Sequence, residues 1–168
     1  MGNSYRDFDD LLNTFGDFLQ RLPVDDGLAV INGDDPGASE LVRLSERRAV
    51  TFGMSDDRDI RVTDVELRRD GSSCTLCVNG ISMGPLELAI PGEHNVANAA
   101  GAAAVAHNLD VPFEAIHQGL AQFRGVDRRF QVMGEVNGVL VVDDYAHHPT
   151  EVSAALATAR AVGRRVVA

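Results

Sequence analysis

The chain has 168 residues, 45% of them apolar, and a formal charge of −10. That length buries a real core, and the acidity excludes a general nucleic-acid binder, which carries a basic stripe. All 15 basic residues are arginine, so a phosphate-cradling G-x-x-x-x-G-K-S/T loop, which needs lysine, cannot lie within it.

No stretch approaches the roughly 18 apolar residues of a membrane span. No charged, apolar, small-residue leader opens the chain, so the expected location is the cytoplasm. Two cysteines do not suggest a secreted disulfide scaffold.

Residues 7–22 place Phe8, Leu11, Leu12, Phe15, Phe18, Leu19 and Leu22 at helical spacing. Pro23 and Gly27 end that helix. Residues 28–31 predict a short buried strand, closed by the turn cluster Asn32-Gly33-Asp34-Asp35-Pro36. A short helix is expected over 37–45. Residues 48–91 change character: strand-like runs are punctuated by Asp70-Gly71 and Asn79-Gly80, which signal hairpins and predict a small antiparallel sheet.

From Glu93 the chain turns helical, with an alanine-rich stretch over 95–108. Asp110 and Pro112 restart a helix whose Phe113, Ile116, Leu120 and Phe123 form one face. A charged loop over 124–129 marks a domain boundary, dividing 1–126 from 127–168. Beyond it the spacing predicts a strand over 138–142, a helix over 149–162 ending at Gly163, and a last strand from Arg165 to Ala168.

Three constellations carry chemistry. Asn95 and Asn98, three apart, share one face at a helix start, where free N–H groups and the dipole suit a base or phosphate. Helix capping explains one Asn equally well. Arg128-Arg129-Phe130-Gln131 follows a helix and precedes a strand; an arginine forks onto phosphate or carboxylate, or serves as a solvated hinge charge. Asp143-Asp144-Tyr145-Ala146-His147-His148-Pro149 packs acids, a phenol and imidazoles between a strand's carboxyl end and a helix's first turn, where open α/β sheets bind ligands. A metal site built from Asp143, Asp144, His147 and His148 competes with that reading. So does capping by His148 ahead of Pro149. Cys74 and Cys77, three apart in a strand, face opposite sides and read as packing residues.

In this order, GEHNVANAAGAAAVA, FRGVDRRFQVMGE and VVDDYAHHPTEVSAAL resemble the Mur ligase family, as do INGDDP and DFDDLLNTFGDFLQRLP. The resemblance covers nearly all of the chain. It implies an α/β fold: part of a P-loop-type central domain with a small antiparallel excursion, then the first β-α-β of a Rossmann-like C-terminal domain. It implies ATP-dependent, magnesium-assisted joining of L-alanine to UDP-N-acetylmuramate through an acyl phosphate, in peptidoglycan synthesis. Arg129 and His147 would then be catalytic. Asn95, Asn98, Arg129, Asp144 and Tyr145 would contact ATP, and His147 and His148 the substrate. The family's phosphate loop and magnesium ligands lie upstream of the matched motifs, so the expectation is an internal fragment, inactive alone, with no metal ligand of its own. Alternatives are the related ligase that recycles murein peptides, against which RRFQ and DDY lean, and a stand-alone nucleotide-binding or interaction module.

Overall fold

The structure, a computed structural model, describes residues 5–44 and 46–168. Helix α1 (Phe8–Gln20) starts where the Asp7 carboxylate accepts the Asp10 N–H at 2.8 Å. Its predicted apolar stripe is only partly covered. Leu19 is buried and Leu22 packs beside it, while Phe8, Phe15 and Phe18 are exposed.

Strand β1 (Ala29–Asn32), helix α2 (Pro36–Leu44) and strand β2 (Ala49–Gly53) follow. The two strands pair parallel, so the short helix between them is the crossover. Position 45, the predicted end of that helix, lies outside the described residues. The connection after β1 is held by Asp34, whose carboxylate accepts the N–H groups of Met54 and Ser55 and pairs with Arg58 at 3.1 Å. Burial raises the pKa of Asp34, but those donors outweigh it and hold the carboxyl below its ordinary value.

Strands β3 (Ile60–Leu67), β4 (Ser72–Val78) and β5 (Ile81–Leu88) complete a five-stranded sheet in the order β1-β2-β3-β4-β5. β3 is parallel to β2, and β4 and β5 are antiparallel. The antiparallel strands therefore extend the parallel sheet instead of forming a sheet of their own. Residues 49–53, expected within the antiparallel part, pair parallel on both sides: the α2 crossover leads into them from β1, and a loop over 54–59, not a hairpin, carries the chain on to β3. Asn79 and Gly80 take φ of 49° and 80° between the paired Val78 and Ile81, the two left-handed positions that an Asn-Gly hairpin turn requires.

Helix α3 (Glu93–Asn108) lies across this sheet. Its Val96, Ala100, Ala103 and Ala104 are 0% exposed and meet Ile60, Val62, Leu76 and Leu86 of the strands. Small residues permit the close approach: a Cβ on Gly101 would come within 2.9 Å of the Phe52 ring. Cys74 sits in this core, and burial pushes its thiol up to about 11, with Glu87 adding to the rise. Helix α4 (Phe113–Gln122) contributes Ile116, Phe113 and Leu120 to the same core, whereas Phe123 is exposed.

A second, smaller unit follows. Strands β6 (Gln131–Val136) and β7 (Val139–Asp143) form an antiparallel hairpin around Asn137-Gly138, and helix α5 (Pro149–Ala161) succeeds them. β6 adds a strand ahead of the one expected at 138–142. The strand expected at Arg165 to Ala168 does not form: those residues join no ladder, and β7 is paired only with β6. A strand exists only through a hydrogen-bonded neighbour, which apolar composition cannot supply.

Candidate nucleotide cleft

The α3 start and the loop after β7 face each other across a cleft of ≈ 540 Å³. From α3 come His94, Asn95 and Asn98; from the crossing segment, Asp127, Arg128 and Arg129; from the β7–α5 loop and α5, Asp144, Tyr145, His147 and Glu151 among others. The cleft runs into a second hollow of ≈ 800 Å³, which shares Asn95, Asn98, Asp127 and Arg129 and is walled by apolar residues such as Leu88, Ile90, Leu120 and Phe123.

Gly92 opens α3 with φ 105°. Thr158 of α5 is 3% exposed, and a Cβ on Gly92 would come within 2.7 Å of its Oγ1 and 2.8 Å of His94 Cε1. Only glycine lets α5 sit this close to the α3 start. The Asn95 Nδ2 donates to the Pro91 carbonyl at 2.7 Å, using one of its two donors. Asn98 is exposed. His94 is half-buried; burial lowers its pKa from the ordinary value of 6.5, Asp144 raises it and Arg129 lowers it further.

On the facing wall the strand ends at Asp143, so the two carboxylates part. Asp143 lies 3.8 Å from the Arg128 Nε. Asp144 enters the loop, where Oδ2 accepts the Phe130 N–H at 2.9 Å and Oδ1 the Ala146 N–H at 2.7 Å. The Arg128 guanidinium covers the Tyr145 ring at 4.4 Å, and the Tyr145 N–H donates to the Arg128 carbonyl at 2.8 Å. His147 Nδ1 is 3.0 Å from the Tyr145 carbonyl oxygen and 3.7 Å from Glu151. The Glu151 carboxylate accepts the N–H groups of His147 and His148, in that order the main causes of its lowered pKa.

The structure thus gathers Asn95, Asn98, Arg129, Asp144, Tyr145 and His147 around one space. His148 is not among the lining residues; it precedes α5 at the cap position. The rival metal reading of Asp143, Asp144, His147 and His148 finds no support: among the described residues no group of three or more His, Cys, Asp or Glu could hold an ion. The sequence assigns no role to His94 or Glu151, and it leaves open which arginine of the Arg128-Arg129 pair serves. All of these residues sit inside the motifs it singled out, so adjacency was the available signal.

An α/β sheet whose central helix starts opposite a strand-end loop, joined by an arginine-bearing crossing, defines the class: the chain belongs to the Mur ligase family. Residues 3–106 match the Mur ligase middle domain and residues 128–168 the Mur ligase glutamate ligase domain. Among curated relatives it is similar to the UDP-N-acetylmuramate–L-alanine ligase of Geobacter sulfurreducens, 46% identical over 88% of this chain and 32% of that protein. The protein of the same name from Acidothermus cellulolyticus is 43% identical over 99% of this chain and 36% of that one. Among solved structures, MurF from Acinetobacter baumannii matches with a TM-score of 0.80 at 26% identity, covering 91% of this chain and 33% of that chain. The UDP-N-acetylmuramate-alanine ligase MurC from Thermotoga maritima matches with a TM-score of 0.77 at 27% identity, covering 94% and 34%. The chain spans about a third of the length of these relatives.

Proposed function

We propose that this chain supplies one wall of the ATP site of a ligase joining L-alanine to UDP-N-acetylmuramate. In this reading residues 1–126 belong to a central ATP-binding domain and residues 127–168 open the domain that follows it. The carrying observation is the meeting of Asn95 and Asn98 with Arg129, Asp144, Tyr145 and His147 around one cleft. The names of the curated relatives support the substrate pair.

The residues present fit ATP. The carboxamides of Asn95 and Asn98 suit the edge of a base, and the apolar hollow beside them suits its faces. The N–H groups of the α3 start and the Arg129 guanidinium suit phosphates. The Asp144 carboxylate suits ribose hydroxyls. Bound ATP supplies the phosphoryl group that activates a carboxylate toward an amine. Arg129 offsets charge on the transferring phosphoryl. His147, held by the Tyr145 carbonyl and Glu151, orients substrate at the cleft mouth. Among the described residues no group of three or more His, Cys, Asp or Glu is placed to hold an ion.

Calorimetric titration with ATP tests this reading. Weak, saturable binding is expected, and Asn98→Ala or Arg129→Ala weakens it by roughly tenfold, the worth of one hydrogen bond to a charged or polar ligand group. Affinity unchanged in both variants overturns the assignment. The chain alone, lacking any lysine, is expected to give no turnover with ATP, magnesium, UDP-N-acetylmuramate and L-alanine. Turnover would refute the dependence on a lysine-bearing loop.

A further inference from the structure

Arg129 reaches the cleft from a backbone that must be held in place. The residues on either side of it, Arg128 and Phe130, take φ of 62° and 47°. Neither is glycine, so both conformations are strained and persist only where the surroundings hold them. The β6–β7 ladder cannot do this, because its last pair is Gln131 with Asp143. Just beyond that pair the Asp144 carboxylate takes over. One oxygen binds the Phe130 N–H at 2.9 Å and the other the Ala146 N–H at 2.7 Å, joining the crossing segment to the β7–α5 loop. The Tyr145 N–H to the Arg128 carbonyl at 2.8 Å and the Arg128 N–H to Gln131 Oε1 at 2.8 Å fasten the other side. Arg128 is engaged by Asp143 and Tyr145. The Arg129 guanidinium has no ion pair or hydrogen bond among the described residues, yet it lines the cleft.

We propose that Asp144 is a positioning residue for Arg129. By tethering the Phe130 N–H it holds the left-handed pair that aims the guanidinium into the cleft, so that the site's affinity for phosphate chains passes through this carboxylate. The proposal rests on the ATP reading and goes beyond a ribose contact, with which it is compatible because each carboxylate oxygen retains acceptor capacity.

Inorganic tripolyphosphate separates the two roles, since it has no ribose. If Asp144 touched only ribose, Asp144→Ala would leave tripolyphosphate affinity unchanged, or tighten it by removing a negative charge from beside an anion. A positioning role predicts the opposite sign: Asp144→Ala weakens tripolyphosphate roughly fivefold or more, in line with loss of a charge-assisted hydrogen bond. Asp144→Asn, which keeps one acceptor oxygen, recovers part of the loss. In an Arg129→Ala background Asp144→Ala causes no further weakening. Unchanged or tighter binding in Asp144→Ala overturns the proposal.

A wild-type chain that takes up neither tripolyphosphate nor ATP overturns the nucleotide reading instead. The tether is then decided by nuclear magnetic resonance of the same variants. Faster exchange of the Phe130 amide together with a shifted Arg129 Nε–H signal in Asp144→Ala supports it. Both signals unmoved refute it.

Discussion

Three influences meet on the His94 imidazole: burial lowers its pKa below 6.5, the Asp144 carboxylate raises it, and the Arg129 guanidinium lowers it again. The folded value is depressed, so the unfolded chain binds the proton more readily. His94 therefore contributes stability that is present above its unfolded value and lost as pH falls through the folded one. The neighbours' signs are separable by titrating the ring C–H resonance. Arg129→Ala is expected to raise the pKa of His94 and Asp144→Asn to lower it. Movement in the reverse direction in either variant would mean that the two charges do not face this ring. His94 carries no sequence signal beyond its place next to Asn95. A Cβ on Gly92 would meet both Thr158 of α5 and the His94 ring, a meeting of segments far apart in the chain that no local pattern announces.

The start of α3 shows how much one element depends on another. Gly92 combines a left-handed φ of 105° with contact distances that leave no room for a Cβ beside Thr158 and His94. Gly92→Ala is therefore expected to destabilise the chain by about 1–3 kcal/mol, from backbone strain and the displaced helix together. Urea denaturation monitored by circular dichroism measures it, and a midpoint equal to wild type would show that α5 does not rest there. Elements with strong local signals were legible. The periodic run of α1, the alanine run of α3 and the Asn79-Gly80 turn all follow from side-chain spacing or φ preference. β6 was harder to see, because Gly134 interrupts its alternation where the ladder with β7 shifts register between Val132 and Gly134. The last expected strand failed for the opposite reason: Arg165 to Ala168 has a strand's composition but no pairing partner.

Across the whole molecule, 25 acidic residues oppose 15 arginines. Many acids are engaged locally, as Asp34 is with Arg58 and Glu135 with Arg164, but the net charge still repels itself. Salt screens that repulsion over about 10 Å at 0.1 M. Raising sodium chloride from low to physiological strength is therefore expected to lift the melting temperature by about 2–5 °C. A melting point that falls with salt would mean that attractive pairs outweigh the surplus charge. The sequence by itself determined the family and the elements with strong local signals, and singled out candidate residues for the chemistry, because spacing, turn dipeptides and motif order are local properties of a chain. The tertiary structure alone decided which of those residues share a space. It ended β7 at Asp143, gave that carboxylate to Arg128 and sent Asp144 into the loop beneath Phe130. It also left His148 outside the cleft and brought His94 in. Such choices depend on contacts between residues far apart in the chain, which packing and hydrogen-bond satisfaction set and side-chain order does not encode one position at a time.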